Sequence, residues 1–388
     1  MLDPSNANII NSVIQTFKMC KRKNMKKIMI CVSTLTSGGA ERVASIWANQ
    51  LSQNSYDTYI LVYGRCENEY PINTAVNVVA VCPKYTEFQS LNYFERLKRM
   101  RALIKQIDPD VVISFLPRMQ IWMMAATFGR KLRRIETIRI NPWFLSEAIK
   151  IPIIKFLWKA VYYRADSVIF QTAEQGEFFS KKVQKKGVVI PNPISDKCKN
   201  NPKTDYSEKT RKFIAAGRIT EQKNYPVMIE AFAEARKTHT DISLDIYGAG
   251  DNDYVAKIQN IIDQSGLSES VRLMGRTTDM ISALQGADAF LMTSDYEGMP
   301  NSLLEAMVAG LPCISTDCRT GPKDMIDDGE NGFLVKTGDS GSIASAICRV
   351  ADMEKSEAIK IGSAAREKIL DICSEEQSLA QLIRVIEK

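Results

Sequence analysis

The chain has 388 residues, which is enough for two α/β domains of ordinary size. Hydrophobic residues make up 45% of it and charged residues 25%, a balance that excludes disordered, collagen-like and coiled-coil proteins. The net charge of +6 is divided unevenly, because residues 1–200 carry 30 Lys and Arg against 15 Asp and Glu, whereas residues 201–388 carry 21 against 30.

The first half alternates short apolar runs with helical patterns. Residues 1–24 precede the first strand and are predicted as an N-terminal extension. A helix is predicted over Ala40–Leu51, where apolar residues recur at helical spacing. Buried strands are predicted at Lys27–Thr34, Tyr59–Tyr63, Val76–Val81, Val111–Phe115, Arg134–Ile140 and Ser167–Gln171. This alternation is typical of βαβ units around a parallel sheet, so residues 25–190 are predicted as a Rossmann-like domain.

A loop rich in Pro, Asn and Lys over residues 191–210 is predicted as the linker to a second domain. The second domain, residues 211–375, again alternates strands and helices, and residues 376–388 form a C-terminal helix that we expect to pack back on the first domain. Its strands are predicted at Lys212–Gly217, Ile242–Tyr247, Val271–Met274, Ala289–Met292, Cys313–Thr316 and Phe333–Val335. Two doubly wound α/β domains in series predict a ligand cleft between the carboxyl ends of their strands.

The most informative segment is Ser294–Asp317, which lies between two predicted strands. Glu297 falls in the loop, Asn301 or Ser302 is the predicted N-cap of the following helix, and Gly310 ends that helix. The free N–H groups of such a helix start suit a phosphate. The alternative is a capping box in which Glu305 bonds to the cap N–H, with Glu297 an ordinary loop acid.

The run Glu297–Ala306 (EGMPNSLLEA) resembles the E-x7-E signature of retaining glycosyltransferases of family 4, in the branch that builds bacterial polysaccharides and lipid-linked glycans. Further motifs of that branch match at Gly310–Pro312, Ser315–Cys318, Gly321–Pro322 and Asn331–Val335. The resemblance spans about residues 25–375. It implies the GT-B fold, in which two Rossmann-like doubly wound domains face each other across a cleft, the first binding the acceptor and the second the nucleotide sugar.

The resemblance also implies roles on the donor side. Glu305 would hold the ribose hydroxyls, Glu297 would contact the donor sugar near its reacting carbon, and the N–H groups of Ser302 and Leu303 would lie by the diphosphate. Gly217–Asn224 resembles the family's G-R-x4-K-N segment, in which Arg218 and Lys223 neutralise the leaving diphosphate; two solvated loop cations are the alternative. The catalytic candidates are therefore Glu297, Arg218 and Lys223.

Three further loops complete the implied donor pocket. Ser37–Arg42 resembles the family's Gly-Gly loop, Tyr247–Gly250 its Y-G-x-G turn, and Gly275–Thr277 lies where the base is read; the glycines could instead serve only as turns. The implied donor-binding residues are Gly39, Arg218, Lys223, Gly248, Gly250, Arg276, Glu297, Gly298, Met299, Asn301, Ser302, Leu303 and Glu305.

On the acceptor side, Ser114-Phe115 and Arg139–Pro142 resemble the branch's S-F and S-E-R-N-x-P segments, with Thr137 and Ile138 in place of Ser and Glu. Many relatives place a histidine near the reacting centre, but the single histidine here, His239, falls in the second domain. Its role passes to Arg118, Gln120 or Arg139, or is absent. The acceptor-side candidates are Arg118, Gln120, Arg139 and Asn141.

Neither a metal nor a cofactor is expected. The nine cysteines form no C-x2-C pair, and Asp108-Pro109-Asp110 is interpreted as the entry to a strand. Ile151–Arg164 interleaves basic and aromatic residues, which favours contact with an anionic membrane surface or, alternatively, a solvated basic helix face. We expect a cytoplasmic protein, because the basic residues 18–23 follow the weakly apolar run before them, whereas a signal peptide has them in front. With membrane contact through Ile151–Arg164, it would be peripheral on the inner face of the plasma membrane.

The leading hypothesis is a retaining, metal-independent hexosyltransferase that uses a UDP-sugar and a glycan acceptor, lipid-linked in surface polysaccharide synthesis such as that of lipopolysaccharide or capsule. The alternative is a non-catalytic nucleotide-sugar-binding or scaffold subunit of a glycan synthesis complex. Nucleic-acid binding is not expected, since the basic residues surround no recognisable reading element. A dinucleotide enzyme is disfavoured because the first loop lacks G-x-G-x-x-G.

Overall fold

The computed structural model describes residues 25–36 and 38–388. The predicted N-terminal extension, 1–24, and Ser37 of the Gly-Gly loop lie outside the described residues. Two parallel sheets organise the rest, one of seven strands and one of six. The predicted fold class, two Rossmann-like doubly wound domains, is confirmed.

The first sheet has the strand order β3-β2-β1-β4-β5-β6-β7, and every pair in it is parallel. Its strands are β1 (Lys27–Cys31), β2 (Asp57–Arg65), β3 (Asn77–Lys84), β4 (Val111–Ser114), β5 (Arg133–Thr137), β6 (Ser167–Phe170) and β7 (Gly187–Val189). The helices connecting them are α1 (Gly39–Gln53), α2 (Tyr85–Ser90), α3 (Tyr93–Ile107), α4 (Pro117–Ala126), α5 (Pro142–Ala148), α6 (Pro152–Arg164), α7 (Ala173–Glu177) and α8 (Lys181–Gln184).

The second sheet has the order β10-β9-β8-β11-β12-β13 and is also parallel throughout. A short helix, α9 (Asp196–Lys199), lies in the segment that joins the two sheets. The strands are β8 (Lys212–Ala216), β9 (Ser243–Tyr247), β10 (Val271–Gly275), β11 (Ala289–Met292), β12 (Cys313–Thr316) and β13 (Phe333–Val335). The helices are α10 (Tyr225–Ala235), α11 (Asn252–Gln264), α12 (Met280–Gln285), α13 (Asn301–Ala309), α14 (Pro322–Met325), α15 (Ser340–Asp352), α16 (Lys355–Ile372) and α17 (Glu375–Glu387).

Both sheets are buried on both faces, which explains their nearly continuous apolar strands. In β1, Ile28 and Ile30 pack into the core on one face, while Met29 and Cys31 pack into the core on the other. This is the alternation of side chains that any strand imposes. The predicted strand Arg134–Ile140 is too long, since β5 ends at Thr137 and the next four residues form a loop into α5.

The last helix, α17, returns to the first domain. Leu382, Val385 and Ile386 are buried in the same core as β1, and Trp47 Nε1 donates a hydrogen bond of 3.1 Å to Ser378 Oγ. The C-terminus therefore ties the second domain to the first. In the described part of the chain, no helix combines the length and the apolar character needed to cross a membrane.

Candidate active site

A cavity of about 420 Å³ lies between the two domains. In each sheet the strand order reverses beside the first strand, β1 or β8, and the loops at the carboxyl ends of such strands form a crevice. Four loops supply most of the lining: the start of α1, the residues after β5, the residues after β8, and the segment from Glu297 to the first turns of α13. The cavity therefore lies where doubly wound sheets bind ligands.

Glu297 and Lys223 form a nearly buried ion pair in this cavity. Lys223 Nζ is 2.7 Å from Glu297 Oε1, and their side chains are 14% and 9% exposed. Thr293 Oγ1 holds the loop of the lysine by donating to the Lys223 carbonyl at 3.0 Å. The structure thus brings two of the predicted catalytic residues into direct contact, with Arg218 on the same wall.

Glu305 pairs with Arg42 across the domain boundary. Arg42 lies in the first turns of α1, and its guanidinium also donates to Ser195 Oγ at 3.4 Å. Arg42 ends the Gly-Gly loop segment Ser37–Arg42, and the motif by itself implied no role for it. Its position in the first turn of a helix that follows a glycine loop was the one feature of the sequence that could have predicted its place in the cavity.

The predicted cap of α13 at Asn301 or Ser302 is wrong, because Pro300 occupies the N-cap position and Asn301 is the first helical residue. Glu305 is then the fifth residue of the helix, beyond the third position that a capping box requires. The carboxylate of Glu305 is consequently free to pair with Arg42. The helix ends as predicted at Gly310, whose φ of +89° is left-handed.

Two glycines allow the domains to approach each other. A Cβ on Gly39 would lie 2.9 Å from Asn301 Nδ2, and one on Gly298 would lie 2.5 Å from Gln171 Oε1 and 3.0 Å from the Arg139 carbonyl oxygen. In contrast, Gly248 and Gly250 do not line the cavity. A Cβ on Gly248 would lie 1.8 Å from the Gly217 carbonyl oxygen, so this turn supports the loop that carries Arg218.

Most of the predicted donor-binding residues line the cavity together, but four do not. Those in the lining are Gly39, Arg218, Lys223, Glu297, Gly298, Met299, Asn301, Ser302 and Glu305. Those outside it are Gly248, Gly250, Arg276 and Leu303. Arg276 is exposed, and the side chain of Leu303 is buried in the core of the second domain.

On the acceptor side, only Arg139 lines the cavity among the four candidates. Gln120 is fully buried inside the first domain, where its amide nitrogen donates to the Ser114 and Thr137 carbonyls and its oxygen accepts from Tyr162 Oη. Asn141 caps α5 and donates to the Arg319 carbonyl at 2.9 Å. Arg118 is exposed outside the lining.

Glu41 is a third carboxylate in the lining, and no motif in the sequence predicted it. Burial raises the pKa of Glu41, while a hydrogen bond from its own N–H and the charge of Arg218 act in the opposite direction. Among the described residues, no group of three or more His, Cys, Asp or Glu side chains is arranged to hold a metal ion.

Two facing Rossmann-like domains with a cavity at the carboxyl ends of their strands form the GT-B architecture. Two family models match successive parts of the chain, "Glycosyltransferase Family 4" over residues 37–197 and "Glycosyl transferases group 1" over residues 196–368, so that together they span residues 37–368. The protein therefore belongs to the family 4 glycosyltransferases, as the motifs indicated.

Curated relatives include the amylovoran biosynthesis glycosyltransferase AmsD of Erwinia amylovora, 26% identical over 80% of this chain and 86% of that protein. Another is a Campylobacter jejuni enzyme named N-acetylgalactosamine-N,N'-diacetylbacillosaminyl-diphospho-undecaprenol 4-alpha-N-acetylgalactosaminyltransferase, 26% identical over 89% of this chain and 96% of its own length. Among solved structures, Anabaena Alr3699/HepE in complex with UDP and glucose has a TM-score of 0.77 at 18% identity, covering 94% of this chain and all of that one.

Proposed function

We propose that the protein is a retaining glycosyltransferase that moves a hexose or an N-acetylhexosamine from a UDP-sugar to a glycan acceptor in surface polysaccharide or glycoconjugate synthesis. The observation that carries the proposal is that one cavity collects Glu297, Glu305, Arg218 and Lys223 around the start of α13. These groups match the hydroxyls and the diphosphate of a nucleotide sugar.

Donor binding would add partners to two ion pairs of the cavity, because a carboxylate can accept more than one hydrogen bond. Glu305 pairs with Arg42, and Glu297 pairs with Lys223. A nucleotide sugar offers hydroxyl donors to the two carboxylates and phosphate oxygens to the cations. The diphosphate would lie at the start of α13, where backbone N–H groups are unpaired within the helix and the helix dipole favours negative charge.

The chemical role of the cations follows from the leaving group. As the bond between the sugar and the diphosphate breaks, negative charge accumulates on the phosphate oxygens, and positioned cations stabilise it. Arg218 can bind two oxygens with its planar fork, while Lys223 acts as a point charge. These cations are the basis for proposing a metal-independent reaction with no cofactor. Glu297 would contact the sugar that is transferred.

The relatives favour particular substrates. The Anabaena structure holds UDP and glucose, and the Campylobacter jejuni relative is named for a diphospho-undecaprenol acceptor. We therefore assign this protein a UDP-sugar donor and an acceptor glycan attached to a lipid diphosphate.

A membrane surface fits the same acceptor. Large apolar side chains are exposed at the starts of α3 and α6, and we refer to this set as the apolar rim: Tyr93, Phe94, Ile151, Ile153 and Phe156. Each of these helices leads directly into a strand of the first sheet and runs antiparallel to it. The first residues of both helices therefore lie near the carboxyl ends of the strands, which is the edge of the sheet where the cavity lies. Three lysines lie in or next to the same helix α6: Lys150, Lys155 and Lys159.

Apolar side chains among lysines suit the interface of an anionic bilayer. The rim would place the first domain peripherally on such a membrane. An acceptor held in the bilayer by its lipid would then present its glycan toward the cavity.

The test is nucleotide binding by the purified chain, followed by turnover. Thermal unfolding is measured with UDP, GDP and ADP, with and without EDTA, since a ligand of the folded state raises the apparent Tm. We expect a UDP-selective, EDTA-insensitive rise that Glu305→Ala and Arg218→Ala abolish. Glu330→Ala, in an exposed turn of the second domain, is the control that should retain the rise.

Release of UDP from a UDP-sugar then separates an enzyme from the alternative, a non-catalytic nucleotide-sugar-binding or scaffold subunit. Slow hydrolysis of one UDP-sugar by the wild type, lost in Glu297→Gln, supports catalysis. The opposite outcome is a protein that binds UDP but releases none from any UDP-hexose or UDP-N-acetylhexosamine, even with undecaprenyl-linked acceptors present. That outcome favours the non-catalytic subunit. A folded protein that responds to no nucleotide contradicts both.

A further inference from the structure

Arg139 is a half-buried residue that lines the cavity, and two of its three guanidinium nitrogens are shielded from water. It lies two residues beyond β5, and its guanidinium carbon is 4.5 Å from the ring centroid of Trp47 and 5.1 Å from that of Phe115. Burial alone lowers the pKa of Arg139 to about 9. Among the described residues, no carboxylate forms an ion pair with it, although the cavity lining contains three carboxylates that pair with or face other cations.

The hydrogen-bond donors of Arg139 are only partly used. Nη1 donates to Asn192 Oδ1 at 2.9 Å. Nε and Nη2 are inaccessible to water and have no acceptor within the described chain. An unpaired buried donor is costly, more so when it belongs to a charged group, and therefore calls for a reason.

The two unpaired nitrogens lie on one edge of the guanidinium. Their N–H bonds point in parallel and match the spacing of two oxygens on a phosphate or a carboxylate, which is the bidentate geometry by which arginine binds oxyanions. The cation–π contacts with Trp47 and Phe115 supply no hydrogen-bond acceptor, so they leave the donors of this edge unused.

Asn192 connects Arg139 to the start of α13. Its Nδ2 donates to Asn301 Oδ1 at 2.7 Å and to the Met299 carbonyl at 3.1 Å. Arg139 thus stands on the first domain opposite the helix start, while Arg218 and Lys223 come from the second domain.

We propose that Arg139 is an oxyanion-binding residue that holds a phosphate of a bound substrate through its Nε and Nη2 edge. Arg139 lines the cavity, but Nε and Nη2 are shielded from it, so oxyanion binding requires the side chain to turn until this edge faces the ligand. The phosphate belongs either to the donor diphosphate at α13 or to the lipid diphosphate of the acceptor. The identification of the phosphate with a nucleotide-sugar donor or a lipid-linked acceptor rests on the proposed function. The binding of an oxyanion by Arg139 does not depend on it.

The experiment compares Arg139→Lys with the wild type by calorimetric titration of inorganic pyrophosphate and of UDP. Lysine keeps the positive charge but lacks the bidentate edge. We expect pyrophosphate and UDP to bind about tenfold or more weakly to the variant, the usual consequence of losing a charge-assisted hydrogen bond. Arg133→Lys is the matched control, since Arg133 lies on the same β5, donates to Val385 O and Ser167 Oγ, and does not line the cavity.

The two sources give different results. Weaker UDP binding assigns the phosphate to the donor. The second titration adds inorganic phosphate or pyrophosphate to protein already saturated with UDP. If Arg139→Lys binds UDP as the wild type does but loses this additional oxyanion, the phosphate is assigned to the acceptor. A wild type that binds pyrophosphate through Arg139 but has no preference for UDP contradicts the proposed function and leaves this inference standing.

If Arg139→Lys and the wild type bind pyrophosphate and UDP with equal dissociation constants, the inference is overturned. Arg139 then has only a structural role against Trp47 and Phe115. If the variant does not fold, the wild type crystallised with pyrophosphate decides the matter. An oxyanion within hydrogen-bond distance of Nε and Nη2 supports the inference, and an oxyanion bound elsewhere in the cavity overturns it.

Discussion

At the scale of single residues, two ion pairs in the cavity join residues that are distant in sequence, and one of them joins the two domains. Glu305 is the central example, because its partner Arg42 comes from the opposite domain. With side chains 26% and 14% exposed, this pair is shielded more than an ordinary surface pair, so its interaction is screened less by water. Arg42 therefore orients the carboxylate that we assign to the ribose.

A double-mutant cycle tests this role of Arg42. We expect Arg42→Ala to weaken UDP binding about three- to tenfold, because Glu305 loses the group that orients it. In a Glu305→Ala background, the same substitution should have a much smaller effect on the UDP dissociation constant. Arg65→Ala, which removes the surface pair with Glu69, is the control and should leave UDP binding unchanged. Additive effects of Arg42→Ala and Glu305→Ala would show that the two side chains act independently.

At the scale of elements, α6 has an unusual distribution of apolar residues. Its second half packs into the domain through Trp158, Val161 and Tyr162, whereas Phe156 and Ile153 near its start are 66% and 60% exposed. The start of α3 is similar, with Phe94 77% exposed, and Tyr93 stacks on Trp122 of the intervening α4 at 5.8 Å. The two parts of the apolar rim therefore lie on helices that both pack against α4.

Liposome sedimentation tests the apolar rim. We expect the wild type to bind vesicles with anionic lipid at low salt, and Ile153→Ser with Phe156→Ser to lose most of the bound fraction. Burying each of these side chains contributes roughly 1.5–3 kcal/mol. The control is Ile359→Ser, an apolar residue of the second domain that is 38% exposed. A double variant that binds as well as the wild type contradicts the assignment of the rim to a membrane, as does a wild type that is not retained.

At the scale of the whole molecule, the two domains contact each other directly beside Glu297. Phe144 of α5 stacks on Tyr296 with ring centroids 3.6 Å apart, and the Arg319 guanidinium lies 3.5 Å from the ring centroid of Trp143. Glu174 adds ion pairs with Arg319 and Lys323. These contacts join the domains through a few side chains next to the site, so the cavity is shaped by how the domains close.

Removing the aromatic contact should favour an open arrangement. We expect Phe144→Ala to increase the radius of gyration of the ligand-free protein in small-angle X-ray scattering, and a UDP-sugar to reverse the increase. An aromatic pair contributes about 0.5–1.5 kcal/mol, enough to shift the closed population severalfold. Phe128→Ala, which removes an exposed ring within the first domain, should not change the scattering. The same radius of gyration for Phe144→Ala and the wild type would mean that other contacts hold the domains closed.

Several features of this protein follow from its sequence alone. The alternation of buried strands and helices predicts two doubly wound sheets, because the period of apolar residues is set by local backbone geometry. The motifs around Glu297, Glu305, Arg218 and Lys223 indicate the family, and strand-end loops bring these residues to one crevice in any fold of this class. The apolar periodicity of single elements and the residue spacing within single motifs suffice for these predictions.

The tertiary structure alone decided which groups meet across the chain. The pairing of Arg42 with Glu305, the stacking of Arg139 on Trp47, and the complete burial of Gln120 between β4, β5 and α6 join residues that are distant in sequence. The apolar rim likewise appears only when α3 and α6 lie side by side with α4. No local period encodes such contacts, since they depend on how the two sheets pack and close, and that packing determines which charges remain free for a substrate.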